Sequence, residues 1–197
     1  MLKKKKYLTL HHYNCLCFLL LTFFLIYNFP ATSEIRNKHH VNVLMYHRFG
    51  ESNFPSTNIR MEQFKEHVLE LKKQKYNVIS LDQAIKAIKK DLTIPDRSVA
   101  ITIDDAYLSV YKKAWPILKE NNFTFTLFVS TDVIDRNLSN YMNWDQIREL
   151  MDNGITIGNQ TKSHPHLHRL SNNEIQYEIE FSNNRLLDEL GIKPKIF

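Results

Sequence analysis

Two adjacent carboxylates, Asp104 and Asp105, close an apolar phrase, ITIDDAY (101–107). Neighbouring carboxylates repel each other, and burying both without a cation is costly. A metal ion relieves the repulsion, with one acid bound to it and the other left as a base. The plainer reading is a helix N-cap, a position Asp favours. A second cluster lies at GNQTKSHPHLHRL (158–170), where His164, His166 and His168 alternate and Gln160 stands four residues before the first. Imidazole is the commonest protein metal ligand. An extended chain, which Pro165 favours, would put the three histidines on one face. A loop turn would instead bring positions 160 and 164 together. His47 is a third candidate, and each of these histidines also has a plain reading as a solvated or packed side chain.

The elements that must position these groups are legible as alternating strands and helices. VNVLMY (41–46), YNVIS (76–80), SVAITI (98–103), FTFTLFV (123–129) and ITI (155–157) read as strands, and KIF (195–197) as the start of another. Nearly continuous apolar runs of this length suit strands buried on both faces. Met61, Phe64, Val68 and Leu71 recur at helical spacing over 61–74. Ser80 with Gln83, Asn143 with Gln146, and Ser171 with Glu174 mark helix starts, and Gly154 and Gly191 mark helix ends. Tyr107, Val110, Tyr111, Ala114 and Leu118 predict a helix over about 107–120. Strands alternating with helices imply parallel pairing and an α/β fold, closed as a barrel or open as a doubly wound sheet. Glycine-rich phosphate loops are absent.

In an α/β barrel the chemistry sits at the C-terminal strand ends. That rule selects His47, Asp104 and Asp105, Ser130 and Thr131, and Asn159, Gln160 and His164. Alternation along 98–104 puts Val99, Ile101 and Ile103 on one face and Ala100, Thr102 and Asp104 on the other, facing the barrel interior.

The N-terminus reads differently. Lys3 to Lys6 precede an apolar run, CLCFLLLTFFLIY (15–27), and small residues near Ala31 and Ser33. Residues 1–33 therefore read as a secretory signal, with a membrane anchor through residues 15–27 as the alternative, although the run is shorter than the roughly 20 residues of a spanning helix. Residues 34–40 form a polar linker. Without those four lysines the 26 basic residues become 22 against 21 acidic ones, so the formal charge of +5 is a targeting feature. A nucleic-acid partner is not expected. Both cysteines, Cys15 and Cys17, fall in the same segment, so the exported part has no disulfide framework.

Three motifs, LMYHRF, TIDDAY and IGNQTKSHPHL, occur in an order that resembles the polysaccharide deacetylases of the NodB-homology type, carbohydrate esterase family 4. The resemblance covers about residues 41–197. It implies a distorted (β/α) barrel and removal of N-acetyl groups from an N-acetylglucosamine-type polysaccharide. It implies Asp104 as general base, Asp105 and His164 as ligands of a divalent metal, most simply Zn²⁺, and Gln160 at the remaining ligand position. Tyr46 and His47 match a branch acting on poly-glucosamine, where the histidine is the general acid. An exported protein, periplasmic, extracellular or anchored at the surface, meets such a substrate.

The chain departs from the family pattern at two places. Gln160 stands where the family has histidine, and an amide oxygen suits harder ions than zinc, so weaker zinc binding is expected. The family domain also continues past the point corresponding to Phe197 into an aromatic–proline segment and further strands, so the domain at 41–197 is expected to be incomplete at its C-terminal end. The alternative function is a catalytically impaired carbohydrate-binding relative.

Overall fold

The structure is a computed structural model that describes residues 40–90 and 92–197. The elements are β1 (Asn42–Tyr46), β2 (Arg48–Phe49), β3 (Asn58–Ile59), α1 (Met61–Lys73), β4 (Asn77–Ile79), α2 (Leu81–Lys89) and β5 (Ser98–Ile103). A π-helical turn (Val110–Ala114) then leads into α3 (Trp115–Glu120), followed by β6 (Thr126–Val129), α4 (Thr131–Asp135), α5 (Trp144–Asp152), β7 (Thr156–Asn159), a 3₁₀ turn (Leu167–Arg169) and α6 (Asn172–Leu190). The segment read as signal or anchor, with residues 15–27, and the linker up to residue 39 lie outside the described residues. Among the described residues, no helix is long and apolar enough to cross a membrane.

All pairings of the main sheet are parallel, in the path β1-β5-β6-β7 with β4 also on β5. β5 is its centre, and all six of its residues are buried. Parallel strands covered on both faces select the β-branched and apolar residues found there. Val99, Ile101 and Ile103 join the hydrophobic core with Phe64 and Val68 of α1, Ile147 and Leu150 of α5 and Leu186 of α6. Tyr46, Phe49 and Phe64 add an aromatic cluster whose ring centroids lie 4.7–5.7 Å apart. Register places Met45 beside Thr102, Thr102 beside Thr126, and Phe128 beside Gly158. A Cβ on Gly158 would come within 2.6 Å of the Phe128 ring, so glycine lets that ring lie across β7.

The helix starts follow the caps. Asn143 with Gln146 and Ser171 with Glu174 form complete capping boxes, whereas Ser80 caps α2 through its side chain alone. Gly191 ends α6 in the left-handed region at φ 70°.

Two expectations shift, and two short elements are new. The helix expected over 107–120 is present, with helical backbone from Leu108 to Glu120, but it is irregular. Asp105 and Ala106 have φ of 69° and 51°, so the chain turns sharply before helical backbone begins at Leu108. Neither acid therefore caps a helix. Pro116 has no N–H to continue the α-helical ladder and its ring opposes the carbonyl four residues back; the wide π turn immediately before α3 accommodates it. Residues 195–197 form no strand, although the Asn159 N–H donates to the Ile196 carbonyl at 3.0 Å. The short parallel pair β2–β3 was not visible in the sequence, because two-residue strands carry no periodic signal. The same holds for α4, a single short turn after Ser130.

Candidate functional site

The C-terminal strand ends of β1, β5, β6 and β7 surround a cavity of about 350 Å³, lined in part by Met45, Thr102, Asp104, Phe128, Gln160 and His164. Thr102 and Asp104 face it from β5, as strand alternation requires. A smaller cavity of about 250 Å³, lined by Asp105, Tyr107, Ser130, Tyr141 and His164 among others, lies on the other flank of the Asp105–His164 pair.

β5 delivers the two acids. The Asp104 N–H donates to the Tyr46 carbonyl at 2.9 Å, extending the β1–β5 pairing by one step and bringing His47 alongside. His47 Nε2 stands 3.7 Å from Asp104 Oδ2. That distance couples the charges but is too long for a hydrogen bond. Burial pushes the Asp104 carboxyl above the usual carboxylate range; His47 and His164 pull it down, and Asp105 pushes it up. The left-handed turn at Asp105 and Ala106 then swings Asp105 away from its neighbour, and the turn is tied to the 140–142 segment. The Met142 N–H donates to the Ala106 carbonyl and the Leu108 N–H to the Asn140 carbonyl, both at 2.9 Å.

β7 delivers the second half. The loop after it is pinned from several sides. Asn159 is buried; its side-chain amide donates to the Ile179 carbonyl (3.2 Å) and to Asn183 Oδ1 (2.9 Å), and its Oδ1 accepts from the Thr161 N–H (2.6 Å). The Gln160 N–H donates to the Val129 carbonyl at 3.0 Å, and Ser130 Oγ donates to the Lys162 carbonyl at 2.9 Å. The Ser163 N–H and hydroxyl both donate to Glu178. Thr161 and His164 take φ of 66° and 56°, a region that residues with a Cβ enter only when their surroundings hold them there. The His164 N–H donates to Thr161 Oγ1 at 2.9 Å.

The two halves meet at Gln160. The Asp105 N–H donates to Gln160 Oε1 at 3.0 Å. A backbone N–H can only donate, so the amide oxygen must face it and the amide nitrogen must face the other way. That nitrogen lies 2.9 Å from His164 Nε2. An NH₂ group has only donors, so the His164 nitrogen is the acceptor. His164 Nε2 is in turn 3.5 Å from Asp105 Oδ1.

Asp105 and His164 are thus together, as the resemblance implies, and they are the right donor types for a divalent ion. Gln160 is next to both, but its oxygen is engaged with backbone. Among the described residues, no group of three His, Cys, Asp or Glu is placed to hold a metal ion. A zinc site with three protein ligands therefore does not fit this arrangement. His166 and His168 sit apart from the cavity with exposed side chains, their rings 5.7 Å from each other. Strand-end reading found Asn159, Ser130 and Thr131 without a role; the structure gives Asn159 and Ser130 the task of holding the loop. Thr102 was placed by alternation. Met45 and Phe128 were missed as cavity walls, since apolar strand residues carry no mark of which face they line.

Comparison with known proteins agrees with the motifs. The family model described as polysaccharide deacetylase matches residues 91–197, more than half of the chain. A candidate polysaccharide deacetylase of Bacillus subtilis (strain 168) is 27% identical over 148 residues, covering 75% of this chain and 51% of that protein. A poly-beta-1,6-N-acetyl-D-glucosamine N-deacetylase of Staphylococcus aureus (strain MSSA476) is 26% identical over 165 residues, covering 82% of this chain and 56% of that protein. The chain spans about half the length of the curated relatives it matches. Among solved structures, the Streptococcus pyogenes deacetylase PplD in complex with acetate superposes with a TM-score of 0.72 at 21% identity, covering 78% of this chain and 70% of that one. IcaB from Ammonifex degensii superposes with a TM-score of 0.69 at 24% identity, covering 79% and 71%. At these identities the likeness speaks to the fold, and it agrees with the parallel α/β, barrel-like arrangement.

Proposed function

The chain belongs to the polysaccharide deacetylase family, and from that premise we propose that it hydrolyses N-acetyl groups on an N-acetylglucosamine-type polysaccharide. The observation that carries the reading is the placement of His47 and Asp104 just past the ends of the paired strands β1 and β5, 3.7 Å apart, with Asp104 lining the cavity. A base and an acid at that separation can serve the two ends of one scissile amide. The Asp104 carboxylate takes a proton from water as its oxygen attacks the acetamide carbonyl. Burial makes this carboxylate a stronger base than an exposed one. Collapse of the tetrahedral intermediate breaks the C–N bond, and His47 protonates the departing amine. Acetate and a free amino sugar result. Met45, Phe128 and Leu167 supply apolar walls suited to the C–H faces of a pyranose ring.

Likeness to the Staphylococcus aureus poly-beta-1,6-N-acetyl-D-glucosamine N-deacetylase supports the substrate class. The pairing of Tyr46 with His47 after β1 supports the same branch. Export through residues 1–33, cleaved as a signal or retained as an anchor, belongs to the proposal because the polymer is extracellular; cell fractionation tests it, and a cytoplasmic product would remove that part. Incubating the purified protein with N-acetylated poly-β-1,6-glucosamine and with chito-oligomers, and measuring acetate, tests the activity. Release that disappears in Asp104→Asn supports the reading. Oligosaccharide binding with no acetate released overturns it.

A further inference from the structure

We infer that Gln160 acts as a hydrogen-bond clamp that closes this site to zinc, competing for His164 instead of serving as a ligand. Two bonds carry the inference. The Gln160 oxygen accepts from the Asp105 N–H at 3.0 Å, and its nitrogen lies at 2.9 Å from His164 Nε2. The same His164 nitrogen is the one nearest Asp105 Oδ1, at 3.5 Å. It is therefore the nitrogen that a metal shared by these two residues would need, and its lone pair points into the amide.

Turning the amide over does not resolve the conflict. Rotation that brings Oε1 toward His164 would aim the NH₂ at the Asp105 N–H, donor against donor, and leave a half-buried N–H without an acceptor. Moving His164 instead means releasing a loop held by the Thr161 hydroxyl, Glu178 and the buried Asn159. The left-handed residues Asp105, Thr161 and His164 sit on both sides of the clamp, so its geometry is set by backbone that has few alternative conformations. An ion that takes Asp105 and His164 must break the clamp and still finds only two strong ligands. An imidazole at position 160 would remove the competition and add the third.

The inference is independent of the proposed activity, because it is read from metal binding without substrate. The experiment is a competition titration of the full chain with Zn²⁺ against a chromophoric chelator, on wild type, Gln160→His, Gln160→Ala and His164→Ala. Outer-sphere changes alone shift metal affinity by about 10–100-fold, so a new imidazole ligand in Gln160→His should tighten zinc by at least about 100-fold. Gln160→Ala separates a clamp from a weak ligand. A clamp predicts that Ala binds zinc several-fold tighter than wild type, since one hydrogen bond of about 1 kcal/mol is no longer in competition, and that His164→Ala binds no tighter than wild type. Zinc bound by wild type as tightly as by Gln160→His, or more weakly by Gln160→Ala than by wild type, would overturn it. Circular dichroism on each variant establishes that it is folded; should Gln160→His fail to fold, the comparison of Ala with wild type decides alone.

Discussion

On one flank of the site, Asp105, Gln160 and His164 form a chain of hydrogen bonds at 3.0 and 2.9 Å, anchored in turn by Asn159 and Thr161. On the other, His47 and Asp104 stand 3.7 Å apart, beyond hydrogen-bond range. Both flanks use an acid and a histidine, and both acids come from one strand end. The contrast is in what each histidine is attached to. His164 rides on a strained loop pinned to α6 and β6, and its backbone N–H and its Nε2 are already engaged. His47 follows a strand of the sheet directly, and its position relative to Asp104 is set by the β1–β5 register alone. A flank held by mutual bonds keeps a shape; the His47–Asp104 pair has no hydrogen bond between its two members.

Substitutions should separate these two designs. The largest effect is expected from Asp104→Asn, which should lower the rate of acetate release by about 10²–10⁴-fold and leave the melting temperature unchanged or higher. Burial already disfavours the ionised carboxylate, so a neutral amide removes a cost from the fold. A melting temperature that falls with the activity would mean that Asp104 is structural. His47→Gln should lower the rate by about 10²-fold, with the deficit growing as the leaving amine becomes more basic; a deficit indifferent to the leaving group would remove the general-acid role.

The pinned flank should answer with stability first. Asn159→Ala removes three hydrogen bonds of a buried side chain and leaves the Thr161 N–H without its acceptor. A loss of about 1–3 kcal/mol in urea unfolding is expected, and a change below about 0.5 kcal/mol would show that the loop holds itself. The smallest effect concerns pH. Burial pushes the Asp135 carboxyl up, but hydrogen bonds from Arg185 and Trp144 outweigh it and hold the group below its usual range. These bonds, at 2.8–3.0 Å, tie the end of α4 to α5 and α6 beneath the pinned loop. A depressed carboxyl stabilises the fold above its unfolded pKa, and that contribution is lost as pH falls through the folded one. Asp135→Asn should therefore remove a modest stabilisation at neutral pH and flatten the acid limb of the stability profile below about pH 4, so that the two profiles converge in acid. An unchanged acid limb would mean that the Arg185 contact is fully screened.

Much of the scaffold was legible because its signals are local. Periodicity in SVAITI and in Met61, Phe64, Val68 and Leu71 depends only on neighbours along the chain, as do the caps at Asn143 and Ser171. The left-handed turn at Asp105 and Ala106 was not legible, because it is held by bonds to residues 140 and 142. The three histidines of HPHLH could not be ranked from spacing alone; motif resemblance favoured His164, and the structure places it at the cavity with His166 and His168 outside.

The sequence by itself determined the chemistry on offer: which acids, imidazoles and amide end the strands, and the alternation that turns Thr102 and Asp104 inward. These follow from residue identity and from the period of a strand. Only the tertiary structure decided how Gln160 is used. Its position beside a ligand pair is a matter of sequence order, but the direction of its amide depends on the Asp105 N–H, which lies 55 residues away along the chain. A donor that can only donate orients the amide, and the amide then engages His164. No local pattern carries that information, because it arises where two distant turns meet.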